Sequence, residues 1–402
     1  MTTTVAAAMT AEEADVQRRV EDLLAANPPA RTDRQAFLEA QFDAGLAWIA
    51  LPEGCGGLGL APKLQRIVET ALTKAGAPAP DVARNIIGHG MAAPTIVAHG
   101  TPEQRARYLK PLFTGQEIWC QLFSEPGAGS DLAGLSTRAV RDGDEWIVNG
   151  QKVWTTLAHI ARFGLLVART DPEVPKHRGL TYFVLDMQAE GVDVRPLRQL
   201  TGDAEFNEVY MNDVRVPDDH RLGGEGEGWR VSMTTLMNER VAIGGGRAKR
   251  GSGAIALAVD VWKSTGCDDP VQRDHLMKLW VAAEVNRLTN MRAGQLARAG
   301  TPGPEGSVGK LAFAELNQAI SELCVDLMGA EGQLYTDYES PRRESVGFFT
   351  GDPRYFFLRA RANSIEGGTS EVLRNILGER VLGLPGEPRT DKDLPWRDVP
   401  RS

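Results

Sequence analysis

The chain has 402 residues, 42% hydrophobic and 24% charged, the composition of an ordinary water-soluble protein with room for about two to three domains. A net charge of −8 argues against a nucleic-acid-binding or anionic-membrane surface, and against a DNA-binding role. Cys55, Cys120, Cys267 and Cys324 are scattered without metal-ligand spacing, so no metal site and reduced, mostly buried thiols are expected. No apolar run reaches membrane-spanning length, and MTTTVAAAM lacks the basic and apolar regions of an export signal. The expectation is a soluble, cytoplasmic protein.

In chain order, the first ~115 residues predict helices. Val16, Val20, Leu23 and Leu24 form one apolar stripe. Thr101-Pro102-Glu103-Gln104 predicts a helix start with proline in the first turn and Gln104 closing a capping box. From about residue 120 to 217 the pattern changes to strands and turns. Asp142-Gly143 and Asn149-Gly150 both predict hairpins. FGLLVART, GLTYFVLDM, VDVRPL and NEVYM predict further strands. Helical spacing returns after Trp229, with one long helix through Leu276, Leu279, Trp280, Leu288 and Met291. Another runs through Leu311, Leu316, Ile320, Leu323 and Leu327. The Pro-rich, charged tail after Leu384 reads as extended or disordered. Helices, then strands, then helices is not the alternation of a doubly wound sheet.

Residues 54–59, GCGGLG, match a dinucleotide-binding fingerprint letter for letter. The following Leu-Ala-Pro and the helical surroundings give no βαβ context, so a tight glycine turn is the reading. SEPGAGSD, 124–131, presents small hydroxyls and backbone N–H groups to an oxyanion, although composition alone favours an interdomain turn. In GQKVWTT, Trp154 and Thr156 share one face of a strand, suited to a flat aromatic group or to plain packing. Near the C-terminus, NSIEGGTSEVLR places Glu366 beside Gly367 and Gly368 at a helix start that offers free N–H groups.

Taken together, FSEPGAGSDLAGLSTRA, NGQKVWTTLAHIA, GLTYFVLDM, NDVRVP and SIEGGTSEVLRNILGERVLGLP resemble the acyl-CoA dehydrogenase family in order and spacing, and PEGCGGLGL is similar to a turn of its helical domain. The resemblance covers nearly the whole chain. It implies an α+β multidomain fold: a helical N-terminal domain (1–118), a β-barrel-like middle domain (119–224), a C-terminal four-helix bundle (225–384) and an extended tail (385–402). It also implies FAD, an acyl-CoA substrate, an electron-transfer flavoprotein as acceptor, and a homodimer or homotetramer. By the same resemblance Phe123 and Ser124 lie along the flavin, and Ser130 lies near the pyrophosphate or the thioester arm. Trp154 packs by the isoalloxazine ring, Thr156 donates towards flavin N5, and Thr369 and Glu371 meet FAD from the C-terminal loop.

The implied reaction is α,β-desaturation of an acyl thioester, which needs a polarised carbonyl and a carboxylate base in a dry site. Gly367 offers its N–H to the thioester. Many relatives carry the base immediately before Gly-Thr-Ser, whereas here Gly367 holds that place and Glu366 falls one residue early. A second branch, resembling isovaleryl- and long-chain-type enzymes, carries the base on the first helix of the C-terminal domain. There LMNERVAIGGG places Glu239 at the base position with Arg240 beside it on the substrate side. On a helix, Glu239 stands about 40° from Ile243 and about 60° from Leu236, leaning into the apolar stripe that a raised carboxyl pKa requires. Glu239 is the expected base and Glu366 the runner-up.

The chain departs from the family's pattern in one respect. Residues 263–280 lack the Arg-x-x-Phe motif that grips the adenosine end of FAD in many relatives. Arg273, Asp326 and Ala330 stand where Gln, Gln and Gly are common. This leaves open a heteromer in which the chain completes a partner's FAD site, or an enzyme acting on carrier-protein-bound acyl groups.

Overall fold

A computed structural model describes residues 9–244, 249–298, 305–335, 344–345 and 351–400, without the side chains of 239–244, 297–298 and 305. The N-terminal helices are α1 (Ala11–Ala26), α2 (Arg34–Asp43), α3 (Gln65–Lys74), α4 (Ala93–His99) and α5 (Pro102–Thr114). α1 buries Val16, Val20 and Leu23, the stripe read from the sequence. α5 starts on the expected capping box, Thr101 accepting from the Gln104 N–H and Gln104 accepting from the Thr101 N–H. The glycine-rich run 54–59 is a turn: Gly54, Gly56 and Gly59 have φ of 77°, 78° and 65°. A Cβ on Gly57 would lie 2.1 Å from the Leu51 carbonyl oxygen. Those glycines let the backbone turn tightly, and no strand precedes them among the described residues.

The middle strands are β1 (Trp119–Leu122), β2 (Arg138–Asp142), β3 (Glu145–Thr156), β4 (Phe163–Arg169), β5 (Leu180–Asp186), β6 (Val192–Leu197) and β7 (Phe206–Pro217). They form one mixed sheet in the order β1-β4-β2-β3-β7-β6, with β5 also on β4. β4 is buried along its whole length because both of its faces are covered. Phe163, Leu165 and Val167 pack towards the helical domain with Leu180, Tyr182 and Val184 of β5. The alternate residues Leu166, Ala168, Phe183 and Leu185 pack on the other side with Trp146 and Val148.

The Asp142-Gly143 hairpin is present, with Asp142 opposite Glu145. The Asn149-Gly150 hairpin is not: β3 runs straight through, with a register shift between Val148 and Gly150 against β7. Glycine is required at 150 for close approach, since a Cβ there would lie 2.7 Å from Thr137 Cα.

The C-terminal helices are α6 (Gly228–Gly244), α7 (Ala254–Thr265), α8 (Pro270–Arg298), α9 (Glu305–Met328), α10 (Pro353–Ala360) and α11 (Ser370–Arg380). α7, α8 and α9 share an apolar core with α10, while α6 packs on α9 of the bundle and also on α4 and β5. The three parts meet at one buried node. Thr235 of α6 lies 2.9 Å from the Thr95 hydroxyl of the N-terminal domain and 2.9 Å from the Tyr182 hydroxyl of the sheet.

Candidate active site

The two motifs flagged separately in the sequence are locked together by a buried ion pair. Glu125 turns inward from the SEPGAGSD loop. Its carboxylate accepts from the Ser136 N–H (2.6 Å), the Thr137 N–H (2.9 Å) and Lys152 Nζ of β3 (2.9 Å). Lys152 also donates to the Phe123 carbonyl, and the Val153 N–H to that of Ser124, both at 2.9 Å. Desolvation works to raise the Glu125 pKa, but the charge of Lys152 and the hydrogen bonds outweigh it and hold the carboxyl below its ordinary range. Neither residue was singled out from the sequence; the only signal was an acid in one motif and a lone lysine in the other, both otherwise rich in small residues and hydroxyls.

Immediately after Lys152, β3 bulges: its register on β7 shifts between Lys152 and Thr155, and Trp154 has φ of 58°. The bulge leaves Trp154 56% exposed and Thr156 partly exposed, with Thr155 buried between them, so the two candidates do share a face. The indole stands edge-on to Phe206 at 5.9 Å. Phe123 is buried against Tyr182 at the near end of the same region, while Ser130 is exposed at the loop's far end.

The C-terminal loop approaches from the other side through Phe206, whose ring lies 5.9 Å from the Arg359 guanidinium. Arg359 is buried, and it donates twice to Glu366, at 3.1 and 2.8 Å. Asn363 Nδ2 adds a third bond at 2.8 Å, so the Glu366 carboxylate is already engaged three times. Lys310 of α9 ties the loop down by donating to the Asn363 and Gly368 carbonyls. Gly367 and Gly368 turn with φ of 64° and 97°, and Thr369 caps α11 by accepting from the Val372 N–H. Glu371 is exposed in the first turn of α11, its pKa lowered by hydrogen bonding at the helix start.

Glu239 and Arg240 lie on α6, one turn beyond Thr235, and their side chains fall outside the described residues. The preceding Asn238 lines a cleft of about 690 Å³ with Trp48, Leu51, His89, Ala93 and Phe113. The wall formed by Gly88–Ala92 is a π-helical turn. Pro94 follows it, and lacking an N–H it cannot close the α-helical bond to residue 90, so the chain widens there.

An exposed indole on a bulge, a neighbouring hydroxyl and a loop of small residues suit a flat aromatic ring with a polar arm. The buried Ser370 hydroxyl, without a partner among the described residues, lies beside the same loop. No group of three or more metal-ligating side chains occurs among the described residues. No helix there is long and apolar enough to cross a membrane.

Residues 4–116, 120–214 and 226–382 match the N-terminal, middle and C-terminal domains of acyl-CoA dehydrogenases. Among curated relatives, acyl-CoA dehydrogenase IpdE1 of Mycobacterium tuberculosis is 38% identical over 361 residues, 89% of each chain. Acyl-CoA dehydrogenase FadE34 of the same organism is 42% identical over 330 residues, 82% of this chain but 43% of that protein. The chain therefore spans less than half of FadE34. The solved structure of the Tcur3481-Tcur3483 steroid ACAD is similar with a TM-score of 0.70 and 28% identity, over 95% of this chain and 99% of that one. The chain belongs to the acyl-CoA dehydrogenase family and is a FAD-dependent oxidoreductase of acyl-CoA thioesters.

Proposed function

We propose that Glu239 of α6 removes the α-proton of a bulky acyl thioester and that Glu366 does not. The observation that carries this reading is the state of Glu366, held by the buried Arg359 and by Asn363. Three of the carboxylate's four lone-pair directions are taken by charge-assisted or amide bonds, which hold it towards Arg359 and Asn363 instead of leaving it free to swing to a substrate proton. Glu239 instead sits on the helix that runs past the cleft, directly after the cleft-lining Asn238. In this reading the Gly367 N–H polarises the thioester carbonyl, and Arg240 and Ser130 orient the thioester arm. Phe123, Ser124, Trp154, Thr156, Thr369 and Glu371 hold FAD, which supplies the acceptor for the β-hydrogen. The cleft's volume of about 690 Å³ and its apolar wall of Trp48, Leu51, Ala93 and Phe113 favour a bulky apolar acyl group. The similar structure is that of a steroid ACAD, which points the same way.

The test is anaerobic bleaching of the bound flavin by straight, branched and polycyclic acyl-CoAs. Wild type and Glu366→Gln should bleach. Glu239→Gln should lose at least ~10³-fold in rate while keeping its FAD. Loss confined to Glu366→Gln would overturn the assignment.

A specific observation favours a second reading, in which the chain works beside a second chain of the same fold. Met277, Val281, Val285, Leu288 and Met291 leave an exposed apolar stripe at helical spacing along α8. The similar steroid ACAD is named for two components. Native mass of the chain expressed alone, with its FAD content, separates the cases: a FAD-loaded homo-oligomer excludes dependence on another chain, and a FAD-free monomer supports it.

A further inference from the structure

The tail does not hang free of the middle domain. Beyond α11 the chain crosses back to the sheet, where Pro395 bridges Pro175 and the Trp396 and Arg397 N–H groups donate to the Val174 and Pro172 carbonyls. Two side chains then reach towards the Ser124–Asp131 loop. Trp396 Nε1 donates to the Gly134 carbonyl at 3.2 Å, and its ring lies 4.4 Å from the Arg169 guanidinium. Arg169 is itself buried, donating to the Ala133 and Leu135 carbonyls and to that of Lys176. Asp391 accepts from Lys176 Nζ at 2.6 Å, and the same ammonium donates to Asp131 at 2.9 Å.

The loop is thus held from two directions. At its start Glu125 is pinned from within by Lys152. At its end Gly134 is pinned directly by Trp396, and Asp131 through Lys176 by Asp391, both from the far end of the chain. The stretch between the pins, Pro126–Ser130, is the small-residue segment that carries Ser130, whose exposed hydroxyl orients the thioester arm in the proposed function.

We propose that the tail is a strap, and that Trp396 and Asp391 are positioning residues that fix the outer end of this loop for the nucleotide-bearing arm of acyl-CoA. They touch no reacting atom; Trp396 acts through Gly134 and Arg169, and Asp391 through Lys176 and Asp131. The inference rests on the reading that the loop meets that arm, and its test keeps the two apart.

The experiment compares the FAD-loaded full chain with Trp396→Ala, Trp396→Phe and Asp391→Asn. Amide hydrogen exchange is measured without substrate, and KM and kcat with an acyl-CoA that bleaches the wild-type flavin. Trp396→Ala should speed exchange of the 131–135 amides about tenfold, leaving the β3 amides unchanged. It should raise KM about fivefold with kcat within about twofold, because a displaced loop weakens binding without touching the proton-transfer geometry. Trp396→Phe keeps a ring over Arg169 but loses the Nε1 bond to Gly134, so it should restore part of both effects and leave each between wild type and Trp396→Ala. Asp391→Asn should shift KM in the same direction and by less, and it remains informative if the alanine variant does not fold. Faster exchange with unchanged KM would overturn the positioning role and leave a purely structural tail. Unchanged exchange in every variant would overturn the strap itself. If the wild type bleaches with no acyl-CoA while exchange still responds to Trp396→Ala, the functional reading falls, and the positioning role built on it falls too.

Discussion

Two carboxylates sit in the two loops that frame the site, each held by a buried cation, and they differ in how deeply. Glu125 and Lys152 are both buried, 8% and 0% exposed at the side chain, and every bond to the Glu125 carboxylate comes from one sheet and its adjoining loop. In the Glu366–Arg359 pair the arginine is buried but the glutamate side chain is 32% exposed. The first pair is a fastener: it joins the SEPGAGSD loop to the bulged strand that presents Trp154 and Thr156. The second restrains an acid at the mouth of a glycine turn. Sequence signature made Glu366 the conspicuous candidate; its partners make it a positioned, charged anchor.

The sharpest way to break this comparison is Lys152→Met. It leaves Glu125 charged and buried with only two backbone donors, at a cost of about 3–5 kcal/mol. Thermal melting should drop steeply, and FAD should be lost with it. Adding Glu125→Gln should recover part of that loss, since an amide tolerates the site better than an orphaned carboxylate. Acid should act in the same sense. The Glu125 pKa is lowered on folding, so its contribution is complete above the ordinary glutamate value and is lost as pH falls through the folded one.

His89 in the cleft wall shows what happens to a titratable group with no counter-ion in contact. Its ring lies among Trp48 and Phe113, and its Nε2 is buried without a partner among the described residues. Desolvation pushes its pKa down to about 4, against a weak opposing pull from Asp81. The unfolded imidazole protonates near 6.5, so between these values the unfolded chain binds more protons. The stability contribution is present above pH 6.5 and is lost as pH falls through 4, on the order of 3 kcal/mol in all. Denaturant unfolding from about pH 7 down to about 4 should show this slope, and His89→Gln should flatten it.

Glu366→Gln is the milder counterpart of Lys152→Met. The amide still accepts from Arg359 and Asn363, the buried Arg359 keeps the charge of Glu205 nearby, and water reaches the side chain, so the cost should be about 1–2 kcal/mol by urea unfolding. Flavin content should be unchanged. A loss comparable to Lys152→Met would erase the distinction between fastener and anchor.

Much of this was legible in the sequence for physical reasons. Capping boxes and period-two alternation are local, so α5 and the Asp142-Gly143 hairpin could be read directly. Asn149-Gly150 misled because the same dipeptide that builds a hairpin also permits the close approach of β3 to Thr137. Trp154 and Thr156 kept their common face, but through a bulge that no propensity announces. Glu125 and Lys152 stayed hidden because a lone charge is exposed by default, and only the assembled sheet brings residues 27 positions apart into contact. The tail was read as extended or disordered from its prolines and charges. The Trp396–Arg169 contact that pins it spans more than half the chain.

The smallest effect tests the node where the three parts meet. With the Thr235 hydroxyl donating to the Val231 carbonyl at 3.3 Å, its oxygen accepts from both Thr95 and Tyr182. Tyr182→Phe removes one donor and strands nothing, because Thr235 keeps its bond to Thr95. The cost should therefore be only about 1 kcal/mol, seen as a small shift in urea midpoint with an unchanged m-value. Thr235→Val differs in kind: it removes the shared acceptor and leaves two hydroxyls, from two domains, buried without it. If α6 is held in place at this node, Thr235→Val should lower kcat through the Glu239 turn one step along the helix, while Tyr182→Phe leaves kcat within about twofold. Equal kinetic losses in the two variants would mean that the tyrosine, rather than the shared threonine oxygen, sets the helix, and the node would have to be redrawn around β5.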